Sequence, residues 1–232
     1  MRRLPHEVPG EAAISAPESS AAPKRIWDIP TRLFHWSLVV LVFFAWGTAE
    51  YDHLDWHVWC GDAILGLLIY RLYWGLVGAS TAKFASFVKG PGAIWAYLRG
   101  DDQTIGHNPL GALSVVAMLL LLFAQVVLGL FAYNDDGGES GPLSSLVSYD
   151  QGVFATHWHR LLWNAVLALI ALHLSAIAFY ALVKRDNLIG PMITGRKRSA
   201  AFAATFAQPW LIIPGVLVAG ALVYAVMKAF KF

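Results

Sequence analysis

Residues 157–173, HWHRLLWNAVLALIALH, decide the fold. His159 and His173 are separated by an almost unbroken apolar run. Fourteen residues on a helix return to within about 40° of the same face while climbing about 21 Å. Two imidazoles therefore lie on one stripe at two depths. An apolar membrane helix does not carry ionisable side chains without partners, because stranding them in hydrocarbon costs several kcal/mol. Each histidine implies something set against it.

Working outward, the segment belongs to a chain of 232 residues with 57% hydrophobic residues, ten Trp and 14% charged residues, the composition of a membrane protein. Nothing in it suggests nucleic acid. The single cysteine, Cys60, excludes a disulfide framework, a cysteine-rich metal knuckle and a C-x-x-C-H attachment site. It reads as a small apolar residue on a helix. Any redox group must therefore be held by other ligands.

Five apolar spans follow from hydropathy and length: about 27–49, 57–77, a third from His107 or Pro109 to Tyr133, Phe154 to about Val183, and Pro209 to about Met227. Residues 1–24 are rich in Ala, Pro, Ser and Glu without an apolar run before a cleavage site. They predict a disordered tail rather than a signal peptide. The stretch SFVKGPGAIWAYLRG, 86–100, predicts a short helix on the membrane surface. Pro214 is expected to kink or delay the fifth helix. The fold expected is an all-α integral membrane protein, a four-helix transmembrane bundle over 25–198 plus a fifth C-terminal transmembrane helix within 199–232.

Charge orients this bundle. Lys and Arg concentrate in the tail, the second loop (Lys83, Lys89, Arg99) and the fourth (Arg196, Lys197, Arg198). The first loop carries Glu50, Asp52 and Asp55 and the third Asp135, Asp136, Glu139 and Asp150, with no basic residue in either. The positive-inside rule predicts a cytoplasmic N-terminus, with the two acidic loops facing the periplasm or exterior. Lys228 and Lys231 run against the trend.

This topology gives each histidine a depth. His57 and His159 share the outer level, and His35 and His173 the inner one. Bis-histidine ligation of two haems needs two such pairs inside a four-helix bundle, since each iron takes one axial nitrogen from either side of the porphyrin. Zinc or copper would want ligands clustered at one depth. Arg32, one turn before His35, and Arg71, fourteen residues after His57, suit haem propionates; the alternative is snorkelling to headgroups. His107 is a candidate ligand, propionate contact or part of a quinone site, or else an interfacial polar residue. Gln125 and Asn108 are further candidates for quinone hydrogen bonds. His157 points to another face than His159 and is an alternative in its register; His53 and His6 read as solvated.

The patterns RLFHW (32–36), H-x-x-x-G followed by RLYWGLVG (His57, Gly61, 71–78), GHNPLGA (106–112), the paired His159 and His173, and NLIGPMITGRK (187–197) resemble the prokaryotic cytochrome b561 and nickel-hydrogenase cytochrome b family over about residues 25–198. The resemblance implies two b-type haems, with His35 and His173 as axial ligands on the cytoplasmic side and His57 and His159 on the periplasmic side. It implies electron transfer between membrane quinone and a periplasmic partner, such as a c-type cytochrome or a hydrogenase or dehydrogenase subunit. The alternatives are a superoxide:quinone oxidoreductase, against which the acidic outer loops argue, and a haem-bearing anchor subunit. The acidic loop offers a docking surface for a basic partner, or is acidic because positive charge is excluded from that side. The fifth helix is open to two uses, binding a partner or completing a homo-oligomer.

Overall fold

The computed structural model describes residues 22–100, 108–135, 139–198 and 203–229. Most of the tail expected over 1–24, His6, His107, Asp136 and Lys231 lie outside these. The elements are β1 (Lys24–Arg25), α1 (Ile29–Glu50), α2 (Leu54–Val77), α3 (Phe84–Phe87), α4 (Pro91–Leu98), α5 (Pro109–Phe131), α6 (Tyr149–Leu182), α7 (Ile189–Thr194), β2 (Arg196–Lys197) and α8 (Ile212–Ala229). Among the described residues five helices are long and apolar enough to cross a membrane: α1, α2, α5, α6 and the segment Pro209–Ala229. The chain is a multi-pass membrane protein of helical-bundle fold.

Local chemistry fixes the helix starts. Asp28 caps α1 by accepting the Thr31 N–H at 2.9 Å, with Pro30 in the first turn. Asn108 does the same for α5 through Gly111 N–H at 2.7 Å, ahead of Pro109. Ser148 and Gln151 close a reciprocal capping box on α6. The 34 residues of α6 rise about 51 Å, more than the roughly 30 Å of hydrocarbon, so its ends stand in the interfaces. Pro214 falls in the first turn of α8, behind a 3-10 turn at Pro209–Leu211, where its missing N–H leaves no gap in the hydrogen-bond ladder. It delays the helix and does not interrupt it.

The hub is α2. It packs against α1, α5 and α8, and is the most buried of the five spans. Cys60, Ile64, Leu65 and Leu68 of α2 meet Leu122, Val126 and Leu130 of α5 and Val166 of α6 in the core. Gly66 lets α8 in: a Cβ there would lie 3.3 Å from Val223 Cγ2. Phe43, Phe44, Leu120, Leu172 and Leu217 remain exposed, as side chains facing lipid do.

At the end of the bundle that carries the basic residues, β1 pairs antiparallel with β2, Lys24 opposite Lys197 and Arg25 opposite Arg196. Ile26 N–H donates to Gly195 O at 2.9 Å, and Gly195 takes the left-handed backbone (φ 79°) that this turn requires. Thr81 Oγ1 donates to Ile26 O at 2.7 Å, so the second loop joins the same knot. At the acidic end the chain after α5 folds back, with Leu143 N–H donating to Leu130 O at 2.8 Å.

Candidate functional site

α6 packs closely along α5, but it is not among the closely packed partners of α1 or α2. Across that slot the imidazoles meet in two pairs. His57 of α2 faces His159 of α6 with ring centroids 5.9 Å apart and planes at 90°. His35 of α1 faces His173 of α6 at 6.5 Å and 53°. These are the pairs that depth alone predicts, and they sit fourteen residues apart along α6, about 21 Å of rise.

The separations suit one metal ion per pair. A metal–imidazole bond of about 2.0 Å, with about 1.1 Å more from nitrogen to ring centre, would put two imidazoles on opposite sides of one metal about 6.2 Å apart. The two pairs bracket that value. Among the described residues no three His, Cys, Asp or Glu side chains converge. Each depth therefore supplies two nitrogens and no more, a donor set that fits a metal already holding four equatorial ligands, as haem iron does.

Ring orientation at the acidic-end pair is set by main chain. His57 Nδ1 lies 2.8 Å from Ala45 O on α1, and His159 Nδ1 lies 2.8 Å from Gln125 O on α5. A carbonyl oxygen only accepts, so each Nδ1 carries the hydrogen and each Nε2 keeps its lone pair for a ligand. A cavity of about 270 Å³ surrounds the pair, lined among others by Trp46, Gly61, Asp62, Gln125 and Gly129. Gly61, one turn after His57, borders open space: a Cβ there would meet nothing within 4 Å and would enter the void. Gly129 does the opposite job. A Cβ on it would lie 2.9 Å from His159 Cε1, so glycine is what lets the imidazole lie against α5.

The basic-end pair is built differently. His35 Nδ1 is buried without a partner, beside Trp36 at 5.0 Å between ring centroids. Arg71 is 3% exposed, its Nη1 without a partner, with its guanidinium 4.8 Å from the Phe84 ring and 6.0 Å from the Phe34 ring. Asp28, whose Oδ2 accepts Trp74 Nε1–H at 2.7 Å, supplies a buried carboxylate at the same end. Arg32 donates through Nη2 to the Ile193 carbonyl and leaves Nε without a partner. Two guanidiniums with spare donors thus stand where a buried anion could be received.

The other predicted residues fall as follows. Asn108 Nδ2 donates to Tyr97 Oη at 3.2 Å and Tyr180 Oη at 2.5 Å, and these two hydroxyls bond each other. Gln125 Oε1 is buried without a partner. His157 is exposed, with its ring 6.0 Å from that of Trp158 and away from His57. His53 is exposed, and Cys60 is buried in the core. Sequence reasoning passed over Asp62, a carboxylate inside an apolar span, which was itself the signal; it also passed over the backbone anchors of the two rings, for which no residue type gives notice.

A family model described as prokaryotic cytochrome b561 matches residues 26–195. A probable Ni/Fe-hydrogenase B-type cytochrome subunit of Rhizobium leguminosarum bv. viciae is 22% identical over 210 residues, covering 74% of this chain and 87% of that protein. No solved structure matches the chain.

Proposed function

This chain belongs to the prokaryotic cytochrome b561 family of membrane electron-transfer cytochromes that carry haem b, and on that premise we propose a two-haem wire joining quinone to a redox partner at the acidic face. The observation that carries the reading is the pair of imidazole pairs, each spaced for one iron, at two depths on α6. His57 and His159 would hold one haem b and His35 and His173 the other. Each haem, when bound, supplies one-electron exchange at its iron.

The chain's own residues do the rest. Nδ1–H bonds to Ala45 O and Gln125 O hold the outer imidazoles in one tautomer and increase their basicity as ligands. Arg71 and Arg32 offer donors to the propionates of the inner group. Trp46, Val42, Leu122 and Val126 give the outer cavity an apolar wall. With both imidazoles of a pair committed to it, an iron held there would exchange electrons and would not bind oxygen. Asn108, clasped by Tyr97 and Tyr180 at the basic end, is the candidate for quinone hydrogen bonds, with His107 beside it in sequence; Gln125 is the candidate at the other end.

Most of the positive charge lies at one end, which supports a cytoplasmic N-terminus in a bacterial inner membrane and a periplasmic acidic face. Asp135, Glu139 and Asp150 are exposed there, a surface suited to a basic c-type cytochrome. The hydrogenase-associated relative favours a second reading, in which that face meets a hydrogenase or dehydrogenase subunit.

The pyridine haemochrome and reduced-minus-oxidised spectrum of the purified chain test the first reading. About two b haems per chain are expected. A chain without haem overturns it, and co-purification of an iron–sulfur subunit selects the second.

A further inference from the structure

Asp62 has no role in the wire described so far. It lies inside α2, five residues beyond His57 and about 140° around the helix from it. The residue is 7% exposed, and its Oδ1 is buried without a hydrogen-bond partner. An unpaired carboxylate in a membrane interior is costly, and such residues mark proton or ion pathways.

Its surroundings limit what that pathway carries. Asp62 lines the same cavity as His57 and His159, and the other ionisable side chain lining it is Arg160 of α6, which is exposed. The lining residues from α1 (Val42, Ala45, Trp46, Ala49) do not ionise, and those from α5 add only the Gln125 amide among polar side chains. On α8 the titratable residues are Tyr224 and Lys228, both exposed, and α3 has none. Among the described residues the one salt bridge is Lys197 to Asp186, at the far end. Among the described residues no cation forms a salt bridge with Asp62, and Arg160, the one cation lining its cavity, is exposed. A second cavity, of about 530 Å³, shares His57, His159, Gly129 and Arg160 with the first and reaches Asp52, Tyr133 and Glu139 at the acidic face. It joins the cavity that holds Asp62 to the acidic face, from which a proton could be supplied.

What varies in charge within this enclosure is the redox centre. An iron porphyrin with neutral axial imidazoles has a core charge of +1 when ferric and zero when ferrous. At low dielectric that unit change acts on a nearby carboxylate with little screening. We propose that Asp62 is the proton acceptor coupled to the acidic-end redox centre. It takes one proton from the acidic face as a one-electron reductant delivers an electron there, and returns that proton when the electron leaves. One O–H bond forms at Asp62, one electron is gained by the iron, and the enclosure's net charge stays constant. The inference rests on the outer histidine pair holding a haem, and its test separates the two.

Full-length, haem-loaded protein is titrated potentiometrically from about pH 5 to about pH 9, followed by the b-haem absorption bands. One of the two midpoint potentials should fall with pH, approaching a tenfold change in the reduction equilibrium per pH unit, which is 59 mV for a one-electron couple. Asp62→Asn should retain both haems and flatten that slope while leaving the inner haem's profile unchanged; Asp62→Glu should restore it. Redox-difference infrared spectra of the unmodified chain should show a protonated-carboxyl C=O band appearing on reduction and absent from the Asn variant. A pH-independent outer potential, a slope that survives in Asp62→Asn, or no carboxyl band on reduction overturns the proposal. If the Asn variant does not fold, the infrared band and the Glu variant decide. A chain with no outer haem instead overturns the wire.

Discussion

The two histidine pairs are held by different means. At the acidic end both Nδ1 atoms donate to main-chain carbonyls of neighbouring helices, and two glycines shape the space, one by clearing room for a ring and one by leaving a void. At the basic end His35 Nδ1 has no partner, and the polar groups nearby are guanidiniums and a capping carboxylate. The first site is a product of helix packing and the second of side-chain charge. Substitutions that alter backbone approach should therefore strike the first, and substitutions that alter charge should strike the second.

The largest effect comes from removing a ring. His159→Ala should cost the outer haem and His173→Ala the inner one, each taking the haemochrome from about two per chain to about one. Both haems lost from either variant would show the sites to be interdependent and would break the comparison. Next in size are the glycines. Gly129→Val drives a side chain into His159, which even a single Cβ would approach to 2.9 Å, while Gly61→Leu fills the cavity. Each should lower outer haem content severalfold and leave the inner band in place. Loss of the inner band instead would mean that α6 is held by the outer site as a whole.

Much of this was legible in the sequence because the bilayer enforces simple rules. Five apolar runs give five helices to within a few residues at most of their ends, since length and hydropathy are what a span must satisfy. α6 is the exception: it starts at Tyr149 rather than near Phe154, because the Ser148 and Gln151 capping box extends it beyond the apolar run. The facing of His35 with His173 and His57 with His159 follows from counting residues along helices of known rise. What resisted reading depends on helix rotation or on pairing across the chain. That Ala45 and Gln125 offer their carbonyls to the rings is a matter of how α1 and α5 turn, and any residue type could stand there. The two-residue strands, 24–25 and 196–197, are too short for periodicity and meet only because α7 and Gly195 turn the chain back. The sequence leaves Arg71 either snorkelling or buried, and in the structure it is buried beside the Phe84 and Phe34 rings.

That burial sets a third, smaller effect. A guanidinium near a redox centre stabilises the form with less positive charge, so Arg71→Gln should make the inner haem harder to reduce. A roughly tenfold change in the equilibrium, 59 mV for one electron, is a fair scale, and the outer haem should shift much less. Equal shifts at both haems would mean that Arg71 acts through the fold. Arg71→Lys should recover part of the change, since it keeps the charge and loses the planar fork.

The smallest effect belongs to the surface. Asp135, Glu139 and Asp150 are exposed, and Tyr149 Oη–H donates to Asp135 Oδ2 at 3.1 Å, holding one carboxylate in place. If this face receives a basic cytochrome, neutralising all three as Asn, Gln and Asn should slow reduction of the outer haem by that partner a few-fold at low salt, and the difference should vanish once the Debye length falls to about 3 Å near 1 M salt. Stopped-flow mixing with a basic c-type cytochrome measures this, with a small neutral reductant as control. The control matters because, in the proposed wire, both reductants would deliver electrons to the same outer haem. A carboxylate change that also slowed the neutral reductant would have altered the outer site, whereas a change confined to the protein partner places the effect at the encounter, before any electron moves.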